Sequence, residues 1–150
     1  MELILWRHAD AEDAARGGDL ARALTARGRS QAARMAAWLA PRLPPDTRLL
    51  ASPALRCQET AAALARVAQT LAAIGPGATA EALLQAAGWP DADGVVLVVA
   101  HQPTIGAAAA LAMGVAGASW HVDKGAVCWL VGAKGESARL RAVLSPDDLP

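Results

Sequence analysis

The run from Val95 to Ala100 constrains the fold more than any other segment, because all six of its side chains are apolar. A strand with one face open to water alternates apolar and polar residues. A strand of a parallel sheet is covered on both faces and is apolar throughout. Val95–Ala100 is therefore predicted to be a central strand of a parallel sheet. Leu3–Trp6 has the same character and is predicted to be a second such strand.

Segments typical of helices alternate with the predicted strands. After Thr25, a suitable N-cap, apolar residues recur at helical spacing until Pro41. The other predicted elements are a strand at Arg48–Ala51, a helix opened by Ser52-Pro53 and continuing to Leu71, a short element at Ala80–Leu84, a helix from Pro103 to Met113, and strands at 126–131 and 140–144. This alternation predicts one α/β domain over residues 1–150, a three-layer αβα sandwich with a mostly parallel central sheet.

Charge and cysteine content exclude several classes of protein. Fourteen Lys and Arg balance fourteen Asp and Glu without a basic stripe, so nucleic acid is not expected as a partner. The uncharged stretch between Gly94 and Val122 is interrupted by polar residues and is rich in Ala and Gly, so no membrane span is expected. Cys57 and Cys128 do not form a disulfide framework, and no signal-peptide core precedes Arg7. A cytoplasmic protein is expected.

Three of the predicted strands end in polar clusters. Arg7-His8 follows the first strand, Ser52 and Arg56 follow the second, and His101 follows Val95–Ala100. Ligands of open α/β sheets bind at the carboxyl ends of the strands, so these residues are expected to share one pocket. Guanidinium groups bind phosphate oxygens in pairs, and imidazole can act as a nucleophile, an acid or a hydrogen-bond donor. Together these residue types favour phosphoryl chemistry.

Four short motifs carry a resemblance to a known family. They are Arg7-His8-Ala9, Arg22-Ala23-Leu24-Thr25 with Gly28, Ser52-Pro53-Ala54-Leu55-Arg56 with Thr60, and His101-Gln102-Pro103-Thr104-Ile105-Gly106. In this order they resemble the motifs of the histidine phosphatase superfamily, and the last is similar to a turn of its short, SixA-type phosphohistidine phosphatases. The resemblance spans residues 7–106 and implies the phosphoglycerate mutase-like fold, which is also an αβα sandwich.

The resemblance also implies a role for each motif residue. His8 would be the nucleophile that becomes phosphohistidine, attacking in its neutral form while its other nitrogen donates to a backbone carbonyl. Arg7 and Arg56 would bind the phosphoryl oxygens and stabilise their charge. His101 would complete this clamp as a donor, and Arg22 would help to hold phosphate or substrate. No cofactor and no metal is expected, because cationic side chains would do the work that Mg²⁺ does elsewhere.

The sequence departs from the family pattern in two respects. Ala9 stands where the family usually has Gly, which affects the backbone path after His8. No carboxylate clearly fits the general acid that relatives use to cleave phosphate esters, although Glu81 is a candidate. A phosphoramidate depends less on such an acid, because its leaving imidazole is readily protonated. The second departure therefore favours phosphohistidine as the substrate.

The predicted function is hydrolysis of phosphohistidine on a partner protein, through a covalent intermediate at His8. No large insertion before His101 forms a lid, and an open site suits a bulky protein substrate. A phosphatase for small phosphate monoesters is an alternative that a working Glu81 would favour. A phosphate-binding signalling module with little turnover is a second alternative, although a binder would not need the nucleophile. A monomer is expected.

Other residues have a simpler explanation. Cys57 lies on the apolar stripe of the second predicted helix, so packing is favoured over a reactive thiol. His121 has no pattern of partners and is predicted to lie on the surface. Trp6 and Trp129 are predicted to be buried.

Overall fold

The computed structural model describes residues 1–150, with six strands and four α-helices. The strands are β1 (Glu2–Arg7), β2 (Arg48–Ala51), β3 (Gln69–Thr70), β4 (Val95–Ala100), β5 (Val127–Val131) and β6 (Arg139–Leu144). The helices are α1 (Ala26–Leu39), α2 (Leu55–Ala62), α3 (Ala80–Ala87) and α4 (Thr104–Ala112). All six strands form one sheet in the order β3-β2-β4-β1-β5-β6.

The all-apolar strand β4 lies inside this sheet and runs parallel to both of its neighbours, β1 and β2. Each of its residues is buried, as a strand covered on both faces requires. β3 adds a third parallel pairing on β2. β5 and β6 extend the other side of the sheet through two antiparallel pairings. The predictions of a central Val95–Ala100 strand and a mostly parallel sheet are therefore confirmed.

Helices cover both faces of the sheet, which confirms the three-layer sandwich. Side chains alternate along a strand, so Ile4 and Trp6 of β1 pack with α1 and α2, whereas Leu3 and Leu5 pack with α3 and α4. The core is thus divided into two clusters by the sheet. Trp6, Trp129 and Cys57 are buried in the cluster under α1 and α2, as predicted. No helix combines the length and the apolar character that a bilayer crossing requires.

The second helix differs from its prediction. It begins at Leu55, since Ser52 and Pro53 precede it, and it ends at Ala62 instead of continuing to Leu71. Ala65 has a φ of 52°, in the left-handed region, which turns the chain away from the helix axis. The chain then returns as β3 and adds to the free edge of β2, where Leu71 N–H donates to the Ala51 carbonyl. Leu71 packs on the face of the sheet that α3 and α4 cover, whereas Cys57 packs on the opposite face. The apolar stripe predicted for one helix therefore combined residues from both faces of the sheet.

The third helix is longer than the short element predicted at Ala80–Leu84. It starts after Thr79, whose hydroxyl accepts the N–H of Ala82, and it runs to Ala87. Gly88 ends it with a φ of 77°, in the left-handed conformation that glycine adopts without strain. The helix is therefore complete, with a cap at each end.

Candidate active site

Three strand ends meet at one edge of the sheet, as the polar clusters predicted. Arg7 of β1 lies opposite Ala100 of β4, and Ala51 of β2 lies opposite Val99. Hydrogen bonds extend the pairing one residue further, from His8 N–H to the Ala100 carbonyl and from Ser52 N–H to the Val99 carbonyl. The side chains of His8, Ser52 and His101 therefore leave the sheet side by side. The rings of His8 and His101 have centroids 5.3 Å apart.

The His8 imidazole is held in one orientation. Its Nδ1 lies 2.8 Å from the carbonyl oxygen of Ala9, and a carbonyl can only accept, so Nδ1 carries the proton. Nε2 is then the unprotonated nitrogen. Burial lowers the pKa of His8 to about 4, and the positive charges of Arg56, Arg7 and Arg22 act in the same direction. At neutral pH the ring is uncharged and has a free lone pair on Nε2, which is the form that can act as a nucleophile.

The backbone around His8 is fixed by three further contacts. The Ala9 N–H donates to the Thr60 hydroxyl at 3.1 Å, and that hydroxyl donates to the Arg56 carbonyl at 2.7 Å. The His8 carbonyl accepts the N–H of Gly125. Ala9 is buried, and its φ is not positive. Alanine therefore fits where the family usually has glycine.

Replacing Thr60 by valine is expected to lower kcat about tenfold and to destabilise the fold by about 1–3 kcal/mol, because a buried Ala9 N–H loses its acceptor. Valine keeps the shape of threonine without its hydroxyl. Thr60→Ser is the matched control, since it keeps the hydroxyl and should retain most of the activity. Kinetics and thermal unfolding of both variants check this expectation. A loss in Thr60→Ser with none in Thr60→Val would instead assign the role of Thr60 to packing of its methyl group, which valine keeps.

The His101 imidazole contacts both Arg56 and Ser52. Arg56 Nη2 donates to His101 Nδ1 at 3.3 Å, because guanidinium nitrogens cannot accept. His101 Nε2 therefore carries the proton and donates to the Ser52 hydroxyl at 2.7 Å. The pKa of His101 is lowered to about 3, mainly by burial and in addition by the neighbouring His8 and Arg56. In this arrangement His101 is neutral and directs an acceptor nitrogen toward Arg56.

Arg56 is almost fully buried and is held by Asp19, a residue that the sequence did not indicate. Nη1 donates to the Asp19 carbonyl at 2.9 Å, and Nη2 lies 3.2 Å from its carboxylate. Arg22 reaches the same carboxylate, with Nε 3.0 Å from Oδ1. The structure thus connects Arg22 to Arg56 through Asp19. Asp19 and Arg56 are 37 residues apart, so no local pattern in the sequence signals this contact.

Arg7 lies to one side of this group. Its Nη1 donates to the Val122 carbonyl at 2.7 Å, and its side chain lines a polar cavity together with Asp10, Asp123 and Lys124. No hydrogen bond joins it to His8, Arg56 or His101. The Nε atoms of Arg7 and Arg56 are both buried without an acceptor. Each of these N–H groups is therefore an unpaired hydrogen-bond donor in this structure.

No hydrogen bond joins Cys57, Glu81 or His121 to the His8 imidazole. The Cys57 sulfur lies 3.5 Å from His101 Nε2, but burial raises the pKa of the thiol to about 12. It stays protonated and is a poor nucleophile. Glu81 is exposed in the first turn of α3 and lines a separate cavity with Pro103 and Ser119. His121 is exposed and paired with Asp123, as expected for a surface residue.

The two motif glycines hold loops close to the site. A Cβ on Gly28 would come within 1.9 Å of the Asp10 carbonyl oxygen, so only glycine lets α1 pack on the chain that follows His8. A Cβ on Gly106 would come within 1.8 Å of the Trp120 carbonyl oxygen. The motifs therefore combine residues with polar side chains and residues that bring the backbone together.

Comparisons with known proteins show which family the sequence matches and which solved structures share its fold. Residues 3–77, half of the chain, match the histidine phosphatase superfamily (branch 1). No curated protein matches the chain. The protein histidine phosphatase SixA, solved with tungstate, is 24% identical with a TM-score of 0.81 over 99% of each chain. A protein of Agrobacterium tumefaciens assigned as the phosphohistidine phosphatase SixA is 26% identical with a TM-score of 0.80 over 97% of each chain.

Structures of phosphatases for small esters share the same architecture. A phosphoserine phosphatase variant from Entamoeba histolytica, solved with phosphoserine, is 14% identical with a TM-score of 0.75 over 99% of each chain. The six-stranded sheet and four helices match the phosphoglycerate mutase-like fold of these neighbours. With its match over half of the sequence, the chain belongs to the histidine phosphatase superfamily, a group of phosphatases.

Proposed function

We propose that the chain hydrolyses phosphohistidine on a partner protein, with His8 as the nucleophile. The observation that carries this proposal is a neutral imidazole with a free Nε2 and the buried guanidinium groups of Arg7 and Arg56, which retain N–H donors, at the same edge of the sheet. A nucleophile beside donors for an oxyanion is the combination that phosphoryl transfer requires.

The reaction has two steps. In the first, the lone pair of His8 Nε2 forms a bond to phosphorus while the bond from phosphorus to the substrate nitrogen breaks. The leaving nitrogen keeps the electron pair and takes up a proton. In the second, water attacks the phosphoryl group on His8 and loses a proton, which releases inorganic phosphate and restores the neutral imidazole. The hydrogen bond to Ala9 keeps the ring in position through both steps.

The cations around His8 would stabilise the phosphoryl oxygens in each step. Arg56 and Arg7 would donate from their guanidinium groups, and Arg22 would assist from the 12–22 loop. His101 directs an acceptor nitrogen toward Arg56 in the substrate-free arrangement. A bound phosphoryl dianion would favour its protonated form, which donates from Nδ1. These side chains provide positive charge without a metal ion.

The surroundings of the site favour a protein substrate. Leu20, Leu55 and Trp120 are each more than a third exposed. Leu20 follows Asp19, Leu55 precedes Arg56, and the Trp120 carbonyl accepts from the side chain of Gln102, beside His101. Apolar side chains near a phosphate site suit contact with a folded partner better than contact with a small hydrophilic ester. Two of the similar structures are SixA proteins, which supports the same substrate class.

Hydrolysis of small phosphate esters is the second candidate. Glu81 lines a cavity with Pro103, two residues beyond His101, and an exposed carboxylate there has the chemistry of a general acid. No hydrogen bond holds Glu81 toward His8 or His101. A phosphoserine phosphatase shares the fold. This reading requires Glu81 to reach the leaving oxygen.

We expect kcat/KM for a phosphohistidine protein to exceed that for an alkyl phosphate by ~10²–10⁴-fold, the contribution that a positioned acid makes to ester cleavage. An alkoxide leaves poorly without a proton donor, whereas imidazole leaves once it is protonated. Assays with excess EDTA should give the same rates as assays without it. Glu81→Gln is the control variant and should change neither rate. Faster alkyl phosphate hydrolysis that is lost in Glu81→Gln would favour the ester phosphatase.

A further inference from the structure

The carboxylate of Asp19 lies on two of the cations that the proposed function assigns to phosphate. Arg56 Nη2 is 3.2 Å from one carboxylate oxygen, and Arg22 Nε is 3.0 Å from the other. Both Arg56 terminal nitrogens are engaged by Asp19, since Nη1 donates to its backbone carbonyl. A carboxylate and a phosphoryl group present the same kind of oxygen acceptor to a guanidinium. Asp19 therefore takes hydrogen bonds that a phosphoryl oxygen would need.

Asp19 is the exposed partner of this ion pair. The side chain of Arg56 is 4% exposed, and that of Asp19 is 56% exposed. A phosphoryl group bound by the terminal nitrogens of Arg56 would lie close to the Asp19 carboxylate, and the two negative groups would repel each other. Full binding by Arg56 thus requires that Asp19 move aside.

The segment that carries Asp19 is short and exposed. Gly17 and Gly18 precede the single 3-10 turn Asp19–Ala21, and Gly18 has a φ of 88°. The residues from 16 to 20 are exposed, and the turn buries no side chain in the core. Hydrogen bonds from Arg56 join this turn to α2, whereas the hydrogen bonds of the Arg22 side chain stay within the 12–22 loop. Such a segment opens at low cost compared with a core element.

We propose that Asp19 is a specificity-determining residue that competes with the phosphoryl group for Arg56 and Arg22. This inference rests on the proposed function. The competition weakens binding of free phosphate, which favours release of the product. A substrate that contacts the 12–22 loop and displaces it can be bound by the guanidinium groups of both Arg56 and Arg22. A protein can make that contact, whereas inorganic phosphate cannot.

The size of the effect follows from the fraction of molecules in which Arg56 is free. The observed dissociation constant equals the intrinsic constant divided by that fraction. If Asp19 occupies Arg56 about nine-tenths of the time, its removal tightens phosphate binding ~10-fold. The inhibition constant of phosphate as a product should fall by the same factor.

Titration with inorganic phosphate, followed by NMR of the histidine ring protons, tests this inference. The chain has three histidines, so His8 and His101 report on the site, and exposed His121 reports on the polar cavity that Arg7 lines. Asp19→Ala should bind phosphate ~10-fold more tightly than the wild type, and Asp19→Asn should lie between them. Asp13→Ala is the matched control, because it removes an equal charge from the same exposed loop without a contact to Arg56. It should leave the affinity unchanged.

Each other outcome has a definite meaning. Unchanged or weaker phosphate binding by Asp19→Ala overturns the inference, and weaker binding would mean that Asp19 positions Arg56 for phosphate. Equal gains in Asp19→Ala and Asp13→Ala overturn it as well, since they would reflect the net charge of the loop alone. Folded wild-type and variant proteins that both fail to shift the His8 and His101 resonances would overturn the phosphate site itself, and the inference with it.

Discussion

Replacing His8 by alanine is expected to reduce turnover of a phosphohistidine protein by at least ~10⁴-fold, the scale seen when a nucleophile is removed. The variant loses the group that we propose forms the bond to phosphorus, while the guanidinium groups of Arg7 and Arg56 remain. The fold should survive, because His8 follows the end of β1 and is not one of the apolar side chains of either core cluster. Single-turnover assays with radiolabelled substrate measure the rate and the covalent intermediate together.

His8→Asn provides a sharper comparison. An asparagine amide can still donate to the Ala9 carbonyl but has no nitrogen lone pair in place of Nε2. It should be as inactive as His8→Ala and should keep more of the stability of the wild type. His121→Ala removes an exposed histidine and should be fully active. Acid-labile label should attach to the wild type and to His121→Ala alone. Turnover near the wild-type rate in His8→Asn would show that the reaction does not pass through phospho-His8.

Replacing Arg56 by alanine is expected to lower kcat by at least ~100-fold, the cost of losing one donor that stabilises developing charge. Arg56 supplies a buried guanidinium whose Nε has no acceptor, and it also donates to His101 Nδ1. The substitution also removes the contact between Arg56 and the Asp19 carboxylate. Loss of this contact should not raise activity, because the guanidinium with which Asp19 competes is absent as well. Steady-state kinetics and a thermal unfolding midpoint for the same preparation check this expectation.

Two further arginine variants separate charge from geometry. Arg56→Lys keeps one positive charge without the planar fork and should recover only part of the lost activity. Arg48→Ala is the matched control, because Arg48 is exposed at the opposite end of β2 and should leave kcat unchanged. If Arg56→Ala keeps most of its activity while folded, the guanidinium serves the structure and the charge is stabilised by other groups.

The architecture of this protein could be predicted from the sequence because most of its elements are specified by local patterns. β4 is apolar at each position, and α1 begins at Thr25, whose hydroxyl accepts the Gly28 N–H as a capping residue should. The second helix was predicted wrongly for a tertiary reason. Leu71 matches helical spacing after Cys57, but pairing of β3 with the open edge of β2 takes it to the other face of the sheet.

The candidate site residues could also be predicted from local patterns in the sequence. Arg7, His8, Arg56 and His101 were identified from motifs at strand ends, and strand pairing explains why His8 and His101 lie together. That information is local, since each residue follows directly from a strand or opens the next helix.

Only the tertiary structure decided the state of these groups. The proton of His8 lies on Nδ1 because the Ala9 carbonyl faces it, and the ring is neutral because it is buried beside cations. The contact of Asp19 with Arg56 joins a loop to a helix 37 residues away. Proton positions and long-range ion pairs depend on distances between segments, which residue types and their spacing do not specify. The sequence by itself thus determined the layers of the fold and indicated the candidate site residues, while packing determined the contacts of these residues and the positions of their protons.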